Sequence, residues 1–342
     1  MKLKKIEYQS CIFDLKQNFS NAKNQYANKE IVIIKIYISQ SLIGYGEASP
    51  LQGFSKESFQ EIIWGLESFI AGIDFNCDYS IDEFFNLISI HCEKLPSLHF
   101  GLDTAMYDLL SKMQETSISK LLSKQNANTV SFSNIYIKKN NISINKNNIL
   151  KYKLGINNTN EDIKNIKKLL SNNPLLKFRF DANQNYILAD FIRIVNELKQ
   201  FEIDYFEEPI TKPSNKKLKD LKSELDIKIA IDESLYNGSN YISWIENNLI
   251  DIVIIKPSIW GSYKKFFQLS NFCKKHHVKM ILSSALENNI GNMATIHLAA
   301  SINNQLAHGL NIHNFYDNFI YSPIYKENDS HINIENIIGL GI

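Results

Sequence analysis

The chain has 342 residues, of which 44% are hydrophobic and 21% are charged, and its formal net charge at pH 7 is +1. These proportions are typical of a globular protein with one large domain or two ordinary ones. The near-zero charge argues against nucleic acid or an anionic membrane as a partner. The four scattered cysteines argue against a zinc site or a disulfide framework. With no stretch typical of a secretory signal or a membrane span, a cytoplasmic protein is predicted.

The N-terminal part predicts a small α+β module. Three segments rich in Val, Ile and Tyr favour an antiparallel meander; they are residues 6–15, 31–39 and 42–50. From residue 56 to about 124, apolar residues recur at the three- and four-residue spacing of amphipathic helices. Residues 15–30 are mostly polar and are predicted to form a loop between the first two strands.

Short apolar strands and lysine-rich amphipathic helices alternate further along the chain. This alternation predicts a parallel sheet with right-handed crossovers. Eight strands within about 180 residues fit a closed barrel better than an open sheet. The strand segments are residues 130–137, 151–156, 175–183, 204–209, 227–234, 251–257, 279–287 and 306–310. The predicted fold class is therefore α/β, a TIM-like (β/α)7β barrel preceded by the α+β module.

A charged residue stands at the carboxyl end of five successive predicted strands. The five are Lys153, Asp181, Glu207, Asp232 and Lys256, separated by 28, 26, 25 and 24 residues. Because the carboxyl ends of barrel strands converge on the rim where active sites form, these charges are predicted to face one another. Taken alone, Asp181 would more often be a helix cap, and Lys256 could equally be a solvated lysine. Their shared position favours a site.

Three of the five side chains are carboxylates, and together they predict a metal site. Asp181, Glu207 and Asp232 supply oxygen ligands without thiolates or imidazoles, a set that suits Mg²⁺ first and Mn²⁺ as a substitute. The alternative pairs these acids with neighbouring lysines. It is weaker, because three acids without a cation between them would repel one another.

The flanking lysines predict a base. Lys151 and Lys153 share one face of their strand, since strand side chains repeat every second residue, and their repulsion should lower each other's pKa. One of them would then accept a proton near neutral pH. A lysine beside a metal suits removal of the α-proton of a carboxylate, with the metal holding the resulting enediolate. The predicted partner is a small-molecule carboxylate; the sequence predicts no oligomeric state.

Five short motifs resemble the muconate-lactonizing subgroup of the enolase superfamily, whose sites are generally described as pairing a base with Mg²⁺. The motifs are KYK at 151–153, DAN at 181–183, EEP at 207–209, DES at 232–234 and KP at 256–257. Within the subgroup, the chain is most similar to the o-succinylbenzoate synthase family, in residues 44–59, 95–109 and 283–291. The resemblance implies three parts: a capping domain (1–125), a catalytic barrel (126–310) and a C-terminal segment packing on the capping domain (311–342).

The resemblance also implies a reaction and residue roles. The reaction is Mg²⁺-dependent dehydration of 2-succinyl-6-hydroxy-2,4-cyclohexadiene-1-carboxylate to o-succinylbenzoate in menaquinone biosynthesis. Lys153 would remove the α-proton and then assist departure of the hydroxyl, while Lys256 would stabilise the enediolate. Residues implied to orient the ligands or lysines are Lys151, Asn183, Glu233 and Arg179. Residues implied to bind the substrate are Ser283, Ser284, Ser258 and Ser20.

Several alternatives stay open at this point. Two lysines flanking an enediolate also suit a racemase, such as one acting on N-succinylamino acids, and the frame also resembles a cycloisomerase of the subgroup. Dipeptide epimerases of the subgroup typically end the seventh strand in an Asp-x-Asp motif, where Ser283 and Ser284 stand here. Arg179 shares the face of Asp181 and could equally be part of a structural pair. A non-catalytic barrel would predict loss of a ligand or a lysine, and all five residues are present.

Overall fold

The protein is described by a computed structural model covering residues 1–20, 25–135, 149–155, 158–313, 315–327 and 329–342; the side chains of residues 17–20 and 25 lie outside the description. Two compact units are present, and each is described by itself. The first contains residues Met1–Ser131, Lys256–Ser270 and Leu282–Ile342, and the second Phe132–Ile255 and Asn271–Ile281. The domain boundaries predicted after residues 125 and 310 stay a prediction. No helix of the described residues is long and apolar enough to cross a membrane.

The first unit begins with the antiparallel sheet that the sequence predicts. Its strands are β1 (Lys5–Ser20), β2 (Gln25–Tyr37) and β3 (Ile43–Ala48), in the order β1-β2-β3. The loop predicted over residues 15–30 is wrong for residues 15–20 and 25–30, which lie in β1 and β2, with a register shift between Asp14 and Phe19; residues 21–24 lie outside the described residues. The polar composition of these two strand ends gives no apolar alternation from which a strand could be predicted. Their ladder is held by backbone pairing and by the burial of Tyr26 and Lys29.

Four helices follow the sheet: α1 (Phe59–Ala71), α2 (Ile81–His91), α3 (Pro96–Met113) and α4 (Ile118–Leu122). Two of them begin with reciprocal capping boxes, in which a serine and the glutamate three residues later satisfy each other's backbone N–H groups. These are Ser58 with Glu61 and Ser80 with Glu83. The apolar faces of α1, α2 and α3 pack with β2 into one core.

Strand β3 and helix α3 approach so closely that only glycine fits between them. A Cβ atom added at Gly46 would lie 1.9 Å from the carbonyl oxygen of Gly101, and one added at Gly44 would lie 2.0 Å from that of Ala105. Both separations are far inside van der Waals contact. The two backbones therefore touch directly, and larger side chains at these positions would force them apart.

The parallel barrel follows, nearly closed and eight-stranded, as the sequence predicts. Its strands are β4 (Thr129–Ile135), β5 (Ile149–Lys153), β6 (Lys177–Asp181), β7 (Ile203–Glu207), β8 (Ile229–Ile231), β9 (Ile252–Ile255), β10 (Lys279–Leu282) and β11 (Ala307–His308). Their order is β10-β9-β8-β7-β6-β5-β4-β11. In the second unit, the outward faces of β6 and β7 stack Phe180 on Phe206, and helix α6 (Leu188–Leu198) packs Phe191 edge-on against Phe206.

The remaining helices are α5 (Thr159–Asn172), α7 (Asn215–Glu224), α8 (Tyr241–Glu246), α9 (Pro257–Trp260), α10 (Tyr263–Lys275) and α11 (Asn289–Ile302), with a 3₁₀ turn at Glu233–Leu235. Helix α11 has no apolar periodicity because it is buried on nearly every side. The C-terminal segment belongs to the first unit. Its strand β12 (His331–Asn333) pairs with β4, and the N–H of Leu340 donates to Asp108 of α3 at 2.8 Å.

Candidate active site

Three of the predicted charges lie side by side at the carboxyl ends of neighbouring strands in the second unit. Lys153 on β5 is the ladder partner of Asp181 on β6, and Asp181 is the partner of Glu207 on β7. Asp232 follows β8, whose Ala230 is the partner of Glu207. The exposed fractions of Asp181, Glu207 and Asp232 are 2%, 0% and 6%, so all three carboxylates are buried. Asp181 caps no helix, since α6 begins only at Leu188.

Lys151 joins two of these carboxylates. Its Nζ lies 2.9 Å from Asp181 Oδ2 and 2.8 Å from Glu207 Oε1. Burial alone would lower the pKa of Lys151, but the carboxylates of Asp181 and Glu207, followed by Asp232, outweigh it and raise the pKa well above its usual value. These contacts therefore favour the charged form of Lys151. The prediction that both neighbouring lysines have lowered pKa values is wrong for this one.

Lys153 behaves in the opposite way. Burial lowers its pKa and the charge of Lys151 lowers it further, while Asp181 and Glu207 act against the shift. The two lysines thus differ: the surroundings of Lys151 favour its charged form, whereas Lys153 releases its proton more readily than a free lysine does. Of the two, Lys153 has the property that a general base requires.

The acids nearby carry more negative charge than Lys151 balances. Burial, and after it the charge of Asp181, raises the pKa of Glu207 to about 8. Burial and the neighbouring acids, Glu208 first, raise the pKa of Glu233 to about 9. One oxygen of each, Oε2, is buried without a hydrogen-bond partner among the described residues. Buried and unpaired carboxylate oxygens of this kind are costly unless a cation or donor meets them.

These donors fit a hard divalent cation. Within the described residues, no group of three His, Cys, Asp or Glu side chains is already arranged to hold a metal, and Lys151 lies between Asp181 and Glu207 instead. Lys151, however, bonds only one oxygen of each carboxylate, and Glu207 Oε2 is left over. An all-oxygen set with such an unpaired buried oxygen matches the chemistry of Mg²⁺ or Mn²⁺, with Lys151 holding one oxygen each of Asp181 and Glu207.

Two residues predicted to orient the ligands have different contacts. Asn183 reaches Asp181 through its backbone, whose N–H donates to Asp181 Oδ1 at 3.2 Å. Arg179 makes an ion pair with Asp204, Nε to Oδ2 at 2.7 Å, and its guanidinium lies 4.8 Å from the ring centroid of Tyr205. These contacts correspond to the structural pairing that the sequence leaves open for Arg179.

Glu208, the second acid of EEP, was not predicted as a site residue from the sequence. It is 1% exposed, and its carboxylate accepts hydrogen bonds from Gln184, from the backbone of Asp232 and from Ser234. The only sequence signal is its position beside Glu207. Alternation along the strand predicts that neighbouring residues point to opposite faces, and this obscures a second acid acting near the same rim.

The other predicted site residues belong to the first unit. Lys256 immediately precedes α9, is 7% exposed, and places its Nζ 4.9 Å from the ring centroid of Phe54. Ser283 is half-buried and forms a parallel bridge with Gly309. The side chain of Ser20 lies outside the described residues.

Ser258 and Ser284 both donate their hydroxyls to Glu287, which is fully buried; the Ser284 contact measures 2.5 Å. Ser258 is itself completely buried, so in this conformation it supports Glu287 and has no surface to offer a substrate. Ser284 is half-buried, and its oxygen also accepts the N–H of Leu286 at 3.0 Å. Sequence reasoning missed Glu287 as the shared partner of the two serines.

Two family models match the chain. The model of the enolase C-terminal domain-like family matches residues 144–342, more than half of the chain, and that of the mandelate racemase / muconate lactonizing enzyme N-terminal domain matches residues 12–123. The chain belongs to the enolase superfamily.

Relatives within the superfamily carry different activities at similar distance. A hydrophobic dipeptide epimerase of Enterococcus faecalis is 23% identical over 314 residues, covering 89% of this chain and 88% of the relative. An o-succinylbenzoate synthase of Bacillus subtilis is 21% identical over 357 residues, covering 100% and 94%. The crystal structure of the dipeptide epimerase from Enterococcus faecalis V583, complexed with Mg and L-Leu-L-Tyr, has a TM-score of 0.86 at 20% identity and covers 100% of this chain and 99% of its own. At this identity, the structural likeness supports the fold.

Proposed function

We propose that the chain is an o-succinylbenzoate synthase, a hydro-lyase that dehydrates 2-succinyl-6-hydroxy-2,4-cyclohexadiene-1-carboxylate with Mg²⁺ as cofactor. The observation that carries the proposal is the position of Lys153, whose pKa is lowered, in one ladder row with the buried carboxylates of Asp181 and Glu207. The synthase of Bacillus subtilis, which aligns with the whole chain, supports the choice of reaction. So does Ser283-Ser284, where dipeptide epimerases of the subgroup typically have Asp-x-Asp.

Lys153 performs the proton transfers in this proposal. Its neutral amine takes the α-proton, and the resulting ammonium returns a proton to the departing hydroxyl, so that water leaves and the ring becomes aromatic. Lys151 takes no part in the transfer, because its bonds to Asp181 and Glu207 keep it charged. Lys256 is proposed as the second lysine, whose positive charge stabilises the enediolate.

Asp181, Glu207 and Asp232 are the proposed ligands of Mg²⁺, with Mn²⁺ as a substitute. When bound, the cation supplies positive charge to the substrate carboxylate as the α-proton leaves. Asn183 and Lys151 hold the ligands in place, and Glu233, whose pKa is raised by burial and by the neighbouring acids, is proposed to help orient them. The succinyl end of the substrate is assigned to Ser283 and Ser284.

The test is conversion of the cyclohexadiene substrate with Mg²⁺, followed by the ultraviolet absorbance of the aromatic product. Wild type and Lys177→Ala, which alters an exposed lysine at the start of β6, should both turn over. Lys153→Ala should lose nearly all activity because the base is gone. No turnover by folded, Mg²⁺-loaded wild type would refute the synthase, and turnover by Lys153→Ala would refute the role of Lys153.

A racemase or epimerase is the second candidate, favoured by the dipeptide epimerase of Enterococcus faecalis at 23% identity. Incubating the protein in D₂O with N-succinylamino acids and with dipeptides tests it. Deuterium at the α-carbon together with appearance of the opposite enantiomer would support this activity. Aromatisation of the cyclohexadiene without α-exchange of these compounds would support the synthase alone.

A further inference from the structure

Glu208 connects the loops that follow three neighbouring strands. Its Oε1 accepts the N–H of Asp232 at 2.8 Å and that of Ser234 at 2.7 Å. Its Oε2 accepts the hydroxyl of Ser234 at 2.7 Å and the side-chain amide of Gln184 at 2.9 Å. Gln184 follows β6, Glu208 follows β7, and Asp232 follows β8, so one carboxylate links the ends of all three strands that carry Asp181, Glu207 and Asp232.

The backbone at these strand ends is held in an unfavourable conformation. Asn183, Gln184 and Glu208 have φ angles of 43°, 59° and 43°, the left-handed region that residues other than glycine seldom adopt. Such a conformation is unfavourable and persists only where its surroundings hold it. The N–H of Gln184 also donates to the backbone carbonyl of Glu208 at 2.8 Å. Glu208 thus holds the Gln184 loop through both its backbone and its side chain.

Glu208 itself is not suited to be a ligand. Each of its two oxygens already accepts two hydrogen bonds, whereas Glu207 Oε2 accepts none among the described residues. Within the part of the chain that the structure describes, Glu207 thus has an oxygen available for a cation, whereas both oxygens of Glu208 are occupied by the loops around it.

We propose that Glu208 is a positioning residue, which sets the spacing of Asp181, Glu207 and Asp232 and thereby the affinity of the site for a divalent cation. This inference rests on the proposed function, in which those three carboxylates hold the cation. Removing the carboxylate leaves the loop after β6 with only its backbone hydrogen bond to Glu208 and removes three hydrogen bonds from the turn after β8, so the ligands lose their common support. Loss of an outer partner of this kind typically weakens metal binding by about 10–100-fold.

The experiment measures Mn²⁺ binding to the EDTA-stripped full-length protein by calorimetry and electron paramagnetic resonance. Glu208→Ala should bind Mn²⁺ about 10–100-fold more weakly than wild type. Glu208→Gln should recover most of the affinity. Its amide oxygen can still accept the N–H groups of Asp232 and Ser234, and the side-chain amide of Gln184 can rotate so that its oxygen accepts the new N–H₂. The matched control is Asp251→Asn, which alters the carboxylate that accepts the N–H of Ile229 at 2.7 Å, at the opposite end of β8. Its Mn²⁺ affinity should stay within about twofold of wild type, because a change at the opposite end of β8 is expected to act independently of the proposed metal site.

The outcomes separate the two proposals. Wild type that binds no Mn²⁺ would overturn the cation site and Glu208's role with it. Wild-type binding with an unchanged Glu208→Ala, or equal weakening in Asp251→Asn, would overturn the positioning role and leave the proposed function standing. If Glu208→Ala does not fold, Ser234→Ala replaces it. That variant removes the hydroxyl bonded to Glu208 and Gln184 and should weaken Mn²⁺ binding about three- to tenfold; an unchanged affinity would overturn the role.

Discussion

The two compact units both contain fully buried glutamates, but these differ in how completely their oxygens are bonded. In the first unit, Glu47 accepts the N–H of Asn288 at 2.7 Å on one oxygen and that of Gly291 at 2.8 Å on the other. Glu287 likewise has donors at both oxygens. In the second unit, Glu207 is equally buried, and its Oε2 has no donor among the described residues.

Burial alone therefore does not distinguish a structural carboxylate from one available for chemistry. Glu47 fastens β3 to the first turn of α11, where unpaired N–H groups favour an anion. Its partners belong to its own unit, and nothing else is needed to satisfy it. Glu47 has a donor at each oxygen, whereas Glu207 Oε2 has none among the described residues. A bound cation would supply the missing partner of that oxygen. This contrast leads to three predictions.

The largest effect is expected at Glu207. Glu207→Gln should weaken Mn²⁺ binding by more than about 100-fold, beyond the loss expected for an outer partner, because it removes a charged ligand. Without metal, its melting temperature at neutral pH should equal or exceed that of wild type, since burial and Asp181 raise the pKa of Glu207 to about 8 and a neutral amide avoids the cost of protonating the buried carboxylate. Calorimetry and thermal melts in EDTA measure both. A variant that melts much earlier in EDTA would show that Glu207 is structural.

Asp103 is an intermediate case that sharpens the comparison through pH. Its Oδ2 accepts the N–H of Tyr263 at 2.9 Å, and burial raises its pKa to about 7 from 3.8. The folded protein therefore binds a proton that the unfolded chain releases between these two values, so its contribution to the free energy of unfolding falls as pH rises from about 4 to about 7. Because each tenfold change in proton affinity corresponds to about 1.4 kcal/mol, the loss amounts to a few kcal/mol.

Denaturant titrations of wild type and Asp103→Asn across this pH range measure the effect. The variant should gain stability relative to wild type as pH rises. His99, whose pKa burial lowers to about 4, gives the opposite slope between about 4 and 6.5. Because its Nε2 lies 3.7 Å from Asp103 Oδ1, the two proteins are also compared in a His99→Gln background, in which this slope is absent from both. A difference that does not change with pH would contradict the prediction.

The smallest effects are expected at the fully bonded glutamates of the first unit. Glu47→Gln should lower the free energy of unfolding by about 1–3 kcal/mol, because its amide N–H₂ would face a backbone N–H that cannot turn round. Glu287→Gln should cost less, since the hydroxyl of Ser258 can reverse and accept. Denaturant titration at one pH ranks the two, and Mn²⁺ affinity should be unchanged in both. The reverse ranking would contradict the roles assigned to their hydrogen-bond donors.

The row of strand ends could be predicted from the sequence because it follows from two periodicities. Strand recurrence every 24–28 residues brought Lys153, Asp181 and Glu207 to one rim, and the ladder aligns the same three residues. Alternation by two put Lys151 on their face, as its ion pairs agree. Barrel class and the N-terminal meander followed from the same patterns.

Features that depend on contacts distant in sequence could not be predicted in this way. Helix α11 is buried on nearly every side and therefore has no polar face to reveal its periodicity. The ends of β1 and β2 are polar and therefore have no apolar face. The bonding of Glu208 and Glu287 depends on which donors the fold delivers, and periodicity carries no information about donors. The sequence also could not separate Lys151 from Lys153, because the difference comes from which ammonium reaches two carboxylates.

The contact between Gly46 and Gly101 has a consequence for protein engineering. The distance between β3 and α3 is set by backbone against backbone, so it is independent of the size of the apolar side chains nearby. Much of the surrounding core could therefore be replaced while Glu47, the residue after Gly46, keeps its distance from the N–H groups at the start of α11. Libraries that vary this core should therefore hold both glycines constant, because even a methyl group there would move the strand itself.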